Sequence, residues 1–192
     1  MMKQIYSFAL LGATALIAGT FAITPVLAQT TAYPAPRVDR VVYAQPMTAA
    51  GYVYSAQSSD LYEYEISKIG VERAQNEQVR LFAQQVLNDH GAAMSRINVA
   101  AQQAGVSPTV GILSAPQVAK LDELRKMSTS GFDKLYARTQ MESHETALAL
   151  HRGYSQGGDQ SMMRGTSSEM ATVTEKHIAA GLKISTLLAS ET

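Results

Sequence analysis

Cysteine is absent from all 192 residues. No disulfide can staple this fold, no thiolate can hold a metal, and lipid attachment at an N-terminal cysteine is excluded. Tryptophan is absent too, and aromatic residues make up only 7%. A core must therefore be built from Ala, Leu, Ile, Val and Met. Neither sign of charge dominates, with 16 basic against 16 acidic residues. A near-neutral chain without a basic block lacks the electrostatic footprint for nucleic acid and for an anionic membrane surface. Alternating apolar and polar runs are missing, and β-branched residues do not cluster, which argues against strands.

What is present fits a packed domain with additions at its N-terminal side. Hydrophobic residues reach 46% and charged residues 17%, so a core is available and wholesale disorder is not expected. Lys3 precedes an uncharged apolar run from Ile5 to Ile23, then Pro25 and the small-residue site Val26-Leu27-Ala28. This pattern predicts a signal peptide over residues 1–28, cleaved after Ala28, and hence an exported, periplasmic protein. An uncleaved anchor is the alternative, because the run approaches spanning length. Pro25 and the absence of a basic cluster after the run favour cleavage, which leaves no integral membrane span. The mature chain would carry 15 basic and 16 acidic residues, Lys3 having left with the leader. Residues 29–52, QTTAYPAPRVDRVVYAQPMTAAGY, hold three prolines and read as a linker, with Tyr33, Tyr43, Tyr52 and Tyr54 in or beside it.

From Val53 onward the apolar spacing is helical. A first helix is expected from about Ser55 to Ala74. A second is capped by Asn76 and stops at Gly105. A shorter accessory helix opens at Ser114-Ala115-Pro116 and is interrupted by the STSG of 128–131. A third long helix starts near Phe132 and ends in GYSQGGD; Asp159 is the expected cap of the fourth. The expectation is all-α: an antiparallel four-helix bundle over 53–192, its two short hairpin turns at the same end, with the accessory helix between helices two and three.

The GYSQG of 153–157 matches the G-x-S-x-G elbow of serine hydrolases. That motif works only where a strand enters a sharp turn and a helix leaves it. Here a helical pattern precedes it. Of the acids between Ser155 and His177, Asp159 is four residues from the serine, and Glu169 and Glu175 belong to the last helical pattern itself. A glycine-rich turn explains the residues.

The histidines are more informative. His90, His144 and His177 lie on the inward stripes of three different helices, and His151 is two turns beyond His144 on the same face. The first helix offers Glu63, with Glu65 as the alternative. A bundle can gather one ligand from each helix into a metal site. Counted from hairpin turns at a common end, Glu63, His90 and His144 stand 12 or 13 residues along their helices, and His177 stands 17. At ~1.5 Å per residue His177 falls roughly 7 Å short of the others, so an irregularity near Gly165 is expected. Imidazole with carboxylate suits a single zinc, iron or copper ion. The residues three before the histidines are Leu87, Met141 and Thr174, so the Glu-x-x-His pairs of a di-iron bundle are absent. Met94 and Met141, each about one turn from a histidine, add a soft donor of the kind copper prefers, although Met also serves as a core filler. The competing account is a hydrogen-bonded core layer, in which the histidines pair with Glu63, Asp89, Glu142 or Glu175.

Four runs together, YEYEISKIGVERA, VRLFAQQVLNDHGAAMSRI, SGFDKLYARTQMESHETAL and EKHIAAGL, resemble the bacterial domain of unknown function 4142 over about residues 52–185. The matching positions are Glu63, the Phe82-Ala83 to Asp89-His90 run, Phe132-Asp133 to Tyr136 with His144, and Glu175 with His177. The resemblance implies a ferritin-like four-helix bundle, exported and often labelled an outer-membrane protein, with no established activity. It favours Glu63 over Glu65. Members often carry a proline shortly before the last histidine; MATVTEKH does not.

Three functions are consistent with these residues. The first is a periplasmic bundle binding one metal through Glu63, His90, His144 and His177, in metal handling or envelope stress. The second is a non-catalytic structural or interaction module with a protein partner. The third is an enzyme, either a metal-dependent oxidoreductase or the esterase argued against above.

Overall fold

The computed structural model describes residues 47–191. The expected signal peptide and most of the expected linker lie outside the described residues. Five helices follow: α1 Ala49–Arg73, α2 Glu77–Gln103, α3 Ala115–Lys126, α4 Thr129–Gly157 and α5 Ser161–Ser190. No strand occurs among the described residues.

Local chemistry sets the boundaries. Asn76 accepts from the backbone N–H groups of Gln78 and Val79, as expected of an N-cap. α2 closes in a Schellman motif: Val106 N–H donates to the Ala101 carbonyl at 2.8 Å and Gly105 N–H to Gln102 at 3.1 Å. Gly105 takes the φ of 70° that this motif requires. Ser114 and Gln117 form a reciprocal capping box at the start of α3.

Three boundaries differ from the sequence reading. α1 begins six residues before Ser55, because Thr48 caps it, accepting from Gly51 N–H. Tyr52, at the end of the expected linker, is instead fully buried. Asp159 does not cap α5. Its Oδ1 accepts the Ala49 N–H at 2.8 Å and the Tyr154 hydroxyl at 3.0 Å, so it tethers the start of α1 to the α4–α5 turn. The GYSQG segment is the last turn of α4, and Ser155 donates to the Arg152 carbonyl at 2.9 Å. A serine inside a helical turn is not a nucleophile elbow.

The topology also corrects the expected placement of the turns. The Asp159 contact puts the α4–α5 turn beside the start of α1. The α1–α2 turn lies at the other end, where Asn76 N–H donates to Asp133 Oδ2 and Asn76 Nδ2 to Glu191. The two hairpins therefore turn at opposite ends. The chain from Ala104 to Ser128 returns along the bundle, and Arg73 receives the end of α3 by donating to the carbonyls of Leu124, Arg125 and Met127. α1 packs on α2 and α4, and α5 packs on α4 and α2, every neighbour antiparallel. One long crossover between two hairpins is the connectivity of ferritin-like folds.

Two apolar clusters fill the interior. One holds Ile66, Val79, Phe82, Leu124, Phe132, Tyr136 and Leu188. The other holds Tyr52, Val53, Ile97, Leu150, Tyr154 and Met163. Between them lie buried Asp60, Glu63, His90, Gln140, His144 and His177.

Candidate metal centre

With the hairpins at opposite ends, levels must be counted from the end that holds the α1–α2 turn. Glu63 is 10 residues before Arg73, His90 13 after Glu77, His144 15 after Thr129, and His177 13 before Ser190. His177 is thus level with His90 and requires no kink. The expected shortfall came from measuring two helices from the wrong end. Cα–Cβ bonds lean toward each helix's N-terminus. His144 therefore leans toward the α1–α2 end and Glu63 away from it, which brings the extremes together.

One nitrogen from each of His90, His144 and His177 lies within 4.8 Å of the others. All three residues are at least 95% buried. Each ring is held by its other nitrogen. His90 Nδ1 is 2.7 Å from Asp60 Oδ1, His144 Nδ1 is 2.7 Å from the Gln140 carbonyl, and His177 Nε2 is 2.9 Å from Asp89 Oδ2. A carbonyl can only accept, so His144 Nδ1 carries its proton and, in the neutral ring, Nε2 bears a lone pair. That Nε2 lies 3.1 Å from His177 Nδ1. With Nε2 donating to Asp89, a neutral His177 turns a lone pair toward the same point. A shared proton, or a cation accepting both lone pairs, is needed to reconcile them. His90 Nε2 is buried with no partner. An outer carboxylate or carbonyl on each ligand histidine is the arrangement found around protein-bound metals.

The surrounding electrostatics are those of a dry site. Desolvation pushes His90 down to about 3, with repulsion from His177 adding to it, and pushes His144 well below the ordinary imidazole value. Neutral imidazole is the metal-binding form. Burial raises the Asp60 carboxyl to about 7 and holds Glu63 well above its ordinary value.

The structure separates the two glutamates named from sequence. Glu63 is fully buried, but its Oε1 lies 3.5 Å from His144 Nδ1, the nitrogen facing away from the cluster. It stands behind a histidine rather than among the three nitrogens. Glu65 is partly exposed and pairs with Lys68 at 3.5 Å; it belongs to the surface. Of the acids considered as histidine partners, Asp89 and Glu63 are at the site. Glu142 is exposed, and Glu175 pairs with Arg152 at 2.8 Å on the surface. His151 lies apart, its Nδ1 3.0 Å from the Tyr52 hydroxyl. The Met141 sulfur packs where Gly181 leaves room, 2.6 Å from a Cβ built there. Asp60 went unnoticed in the sequence, although it precedes Glu63 by three residues and so shares its face.

The buried side-chain atoms without a partner among the described residues are Asp60 Oδ2, both Glu63 oxygens, His90 Nε2 and Gln140 Oε1. All five belong to this polar layer. Ser143 lies close enough to Glu63 to favour its charged form.

No curated protein matches the chain. Among solved structures, a DUF305 fragment from Deinococcus radiodurans is similar, at 14% identity and a TM-score of 0.62, over 73% of this chain and 97% of that one. That likeness is one of fold. The model of the domain of unknown function DUF4142 matches residues 40–184, and the chain belongs to that family.

Proposed function

We propose that this is an exported helical bundle that binds one divalent transition-metal ion through His90, His144 and His177, and that it serves in metal handling in the cell envelope. The observation that carries this reading is the convergence of three imidazole nitrogens whose opposite nitrogens are already held. Two nitrogens bound to tetrahedral zinc at ~2.1 Å stand about 3.4 Å apart, so a gap of up to 4.8 Å must close by as much as about 1.4 Å. Asp60 and Asp89, behind His90 and His177, balance a 2+ charge in the layer. Glu63 takes a place behind His144, not a ligand position. With imidazole donors and no thiolate, zinc and copper rank above iron. Export rests on the leader pattern of residues 1–28.

Thermal unfolding with and without zinc tests the reading. Free zinc at 100 times its Kd should stabilise the fold by about 2.7 kcal/mol at pH 7.5, and the gain should fall away only in acid, because burial keeps His90 and His144 neutral well below the ordinary imidazole range. The 3.1 Å contact between His144 and His177 supports a second reading, a purely hydrogen-bonded layer. That reading predicts a melting temperature indifferent to zinc, copper and iron.

A further inference from the structure

His177 is at once a member of the triad and part of the bundle's outer wall. A cleft of about 300 Å³ opens between α2 and α5, and His177, Asp89, Arg96, Lys176, Ala92 and Val173 are among the residues lining it. Within it, His177 is 1% exposed while the Asp89 side chain bonded to it is 42% exposed. The imidazole is therefore the partition between cleft and cluster, and among the described residues Asp89 is the one carboxylate touching the triad that also meets solvent. Asp60, behind His90, is only 3% exposed. A second cleft of about 390 Å³ between α1 and α4 is rich in hydroxyls, but none of the three histidines lines it.

We propose that the α2–α5 cleft is the route by which the ion reaches and leaves the buried site, with Asp89 as its first ligand and the His177 ring as the gate. The proposal rests on the metal reading above and adds a path to it. An arriving dication is captured by the Asp89 carboxylate, which then no longer accepts from His177 Nε2. Freed of that bond, the ring can swing and pass the ion inward to His90 and His144. Nothing is oxidised, and a proton leaves only if one was shared between His144 and His177. Arg96 and Lys176 at the rim repel bare dications, so Asp89 is what makes this cleft receptive.

The test is the rate of cobalt loading, followed by its visible absorption, and the rate of stripping by EDTA, on the metal-free chain. Val173→Phe and Ala92→Phe narrow the cleft without touching a ligand. The Ala92 position is exposed, so that variant should fold even if the other does not. Both rates should fall about tenfold while the equilibrium affinity stays within about twofold, since a blocked path changes the on- and off-rates together. Asp89→Asn should slow loading in the same sense. Thr146→Phe, which fills the α1–α4 cleft, should change neither rate. Unaltered rates in both plugged variants, or slowing by Thr146→Phe instead, would overturn the route while leaving the metal site standing. A parent chain that takes up no cobalt would overturn both.

Discussion

The two apolar clusters and the layer between them are built on different principles. In the clusters, burial and packing stabilise. Ile66, Phe132 and Ile97 are wholly buried and meet other apolar side chains. In the middle layer, five polar atoms are buried without partners, and two imidazole nitrogens meet at 3.1 Å. Native proteins leave few such atoms unsatisfied, and each calls for an explanation. A fold that needed only stability would fill this level with apolar side chains, as it does on either side. On the proposed reading the layer is retained for the ion it would bind, and its unpartnered atoms are a cost to the metal-free protein.

The largest effect that could break this comparison lies in the dry region. Phe132→Ala should lose about 3–5 kcal/mol, read from denaturant unfolding, and the loss should be the same with or without metal. A much smaller loss would mean that the apolar cluster is not what holds the hairpins together. Next is Glu63→Met, of similar size but without a carboxyl. It should stabilise the metal-free chain by about 1–3 kcal/mol, the cost of burying unpartnered polar atoms. Destabilisation would show that Glu63 has partners in solution.

The pH dependence sharpens the same contrast. Burial depresses His90 to about 3, His151 to about 4 and His144 well down, while unfolded imidazole titrates near 6.5. The unfolded chain then binds more protons, so these groups destabilise as pH falls below about 6.5. Asp60, raised to about 7, and Glu63, raised well above its ordinary value, act in the other direction. Their contribution is complete below the unfolded carboxyl range near 4 and is lost as pH rises through their folded values. Three histidines outweigh two carboxyls between about pH 4 and 6.5, and above that only the carboxyls remain. Metal-free protein should therefore be most stable near pH 6.5. Glu63→Gln should flatten the alkaline decline, because it removes one of the two carboxyls that drive it. A parent whose stability rises steadily from pH 6.5 to 9 would contradict these assignments. The smallest effect is on the surface: breaking the exposed Arg152–Glu175 pair with Arg152→Ala should change stability by less than about 1 kcal/mol, checked by the same unfolding curves.

Much of this was legible in the sequence, for reasons that can be named. Period 3.6 gave the helices, Asn76 and Gly105 gave the ends of α2, and the inward stripes placed His90, His144 and His177 on three elements facing one axis. What periodicity cannot say is which end a hairpin faces, and the level of His177 was misjudged for that reason alone. A signal was present. An up-down-up-down bundle needs only a short loop between helices two and three, whereas the 25 residues from Ala104 to Ser128, including α3, can run the length of the bundle. The start of α1 was missed because Tyr52 and Val53 follow a proline-rich stretch, and their burial depends on the distant Asp159 tether. Glu63 and Glu65 differ by two residues, or about 200° around a helix, so only one could face inward. The role of Asp60 depended on a histidine thirty residues away, which no local pattern reports.

The most direct measurement is the metal content of residues 29–192 after equilibration with zinc, copper and iron and removal of free ions. It should be made beside a variant with His90, His144 and His177 all changed to Ala and shown by circular dichroism to remain helical. The account predicts close to one metal per chain in the parent and none in the variant. No metal in the parent, or the same amount in both, would contradict it.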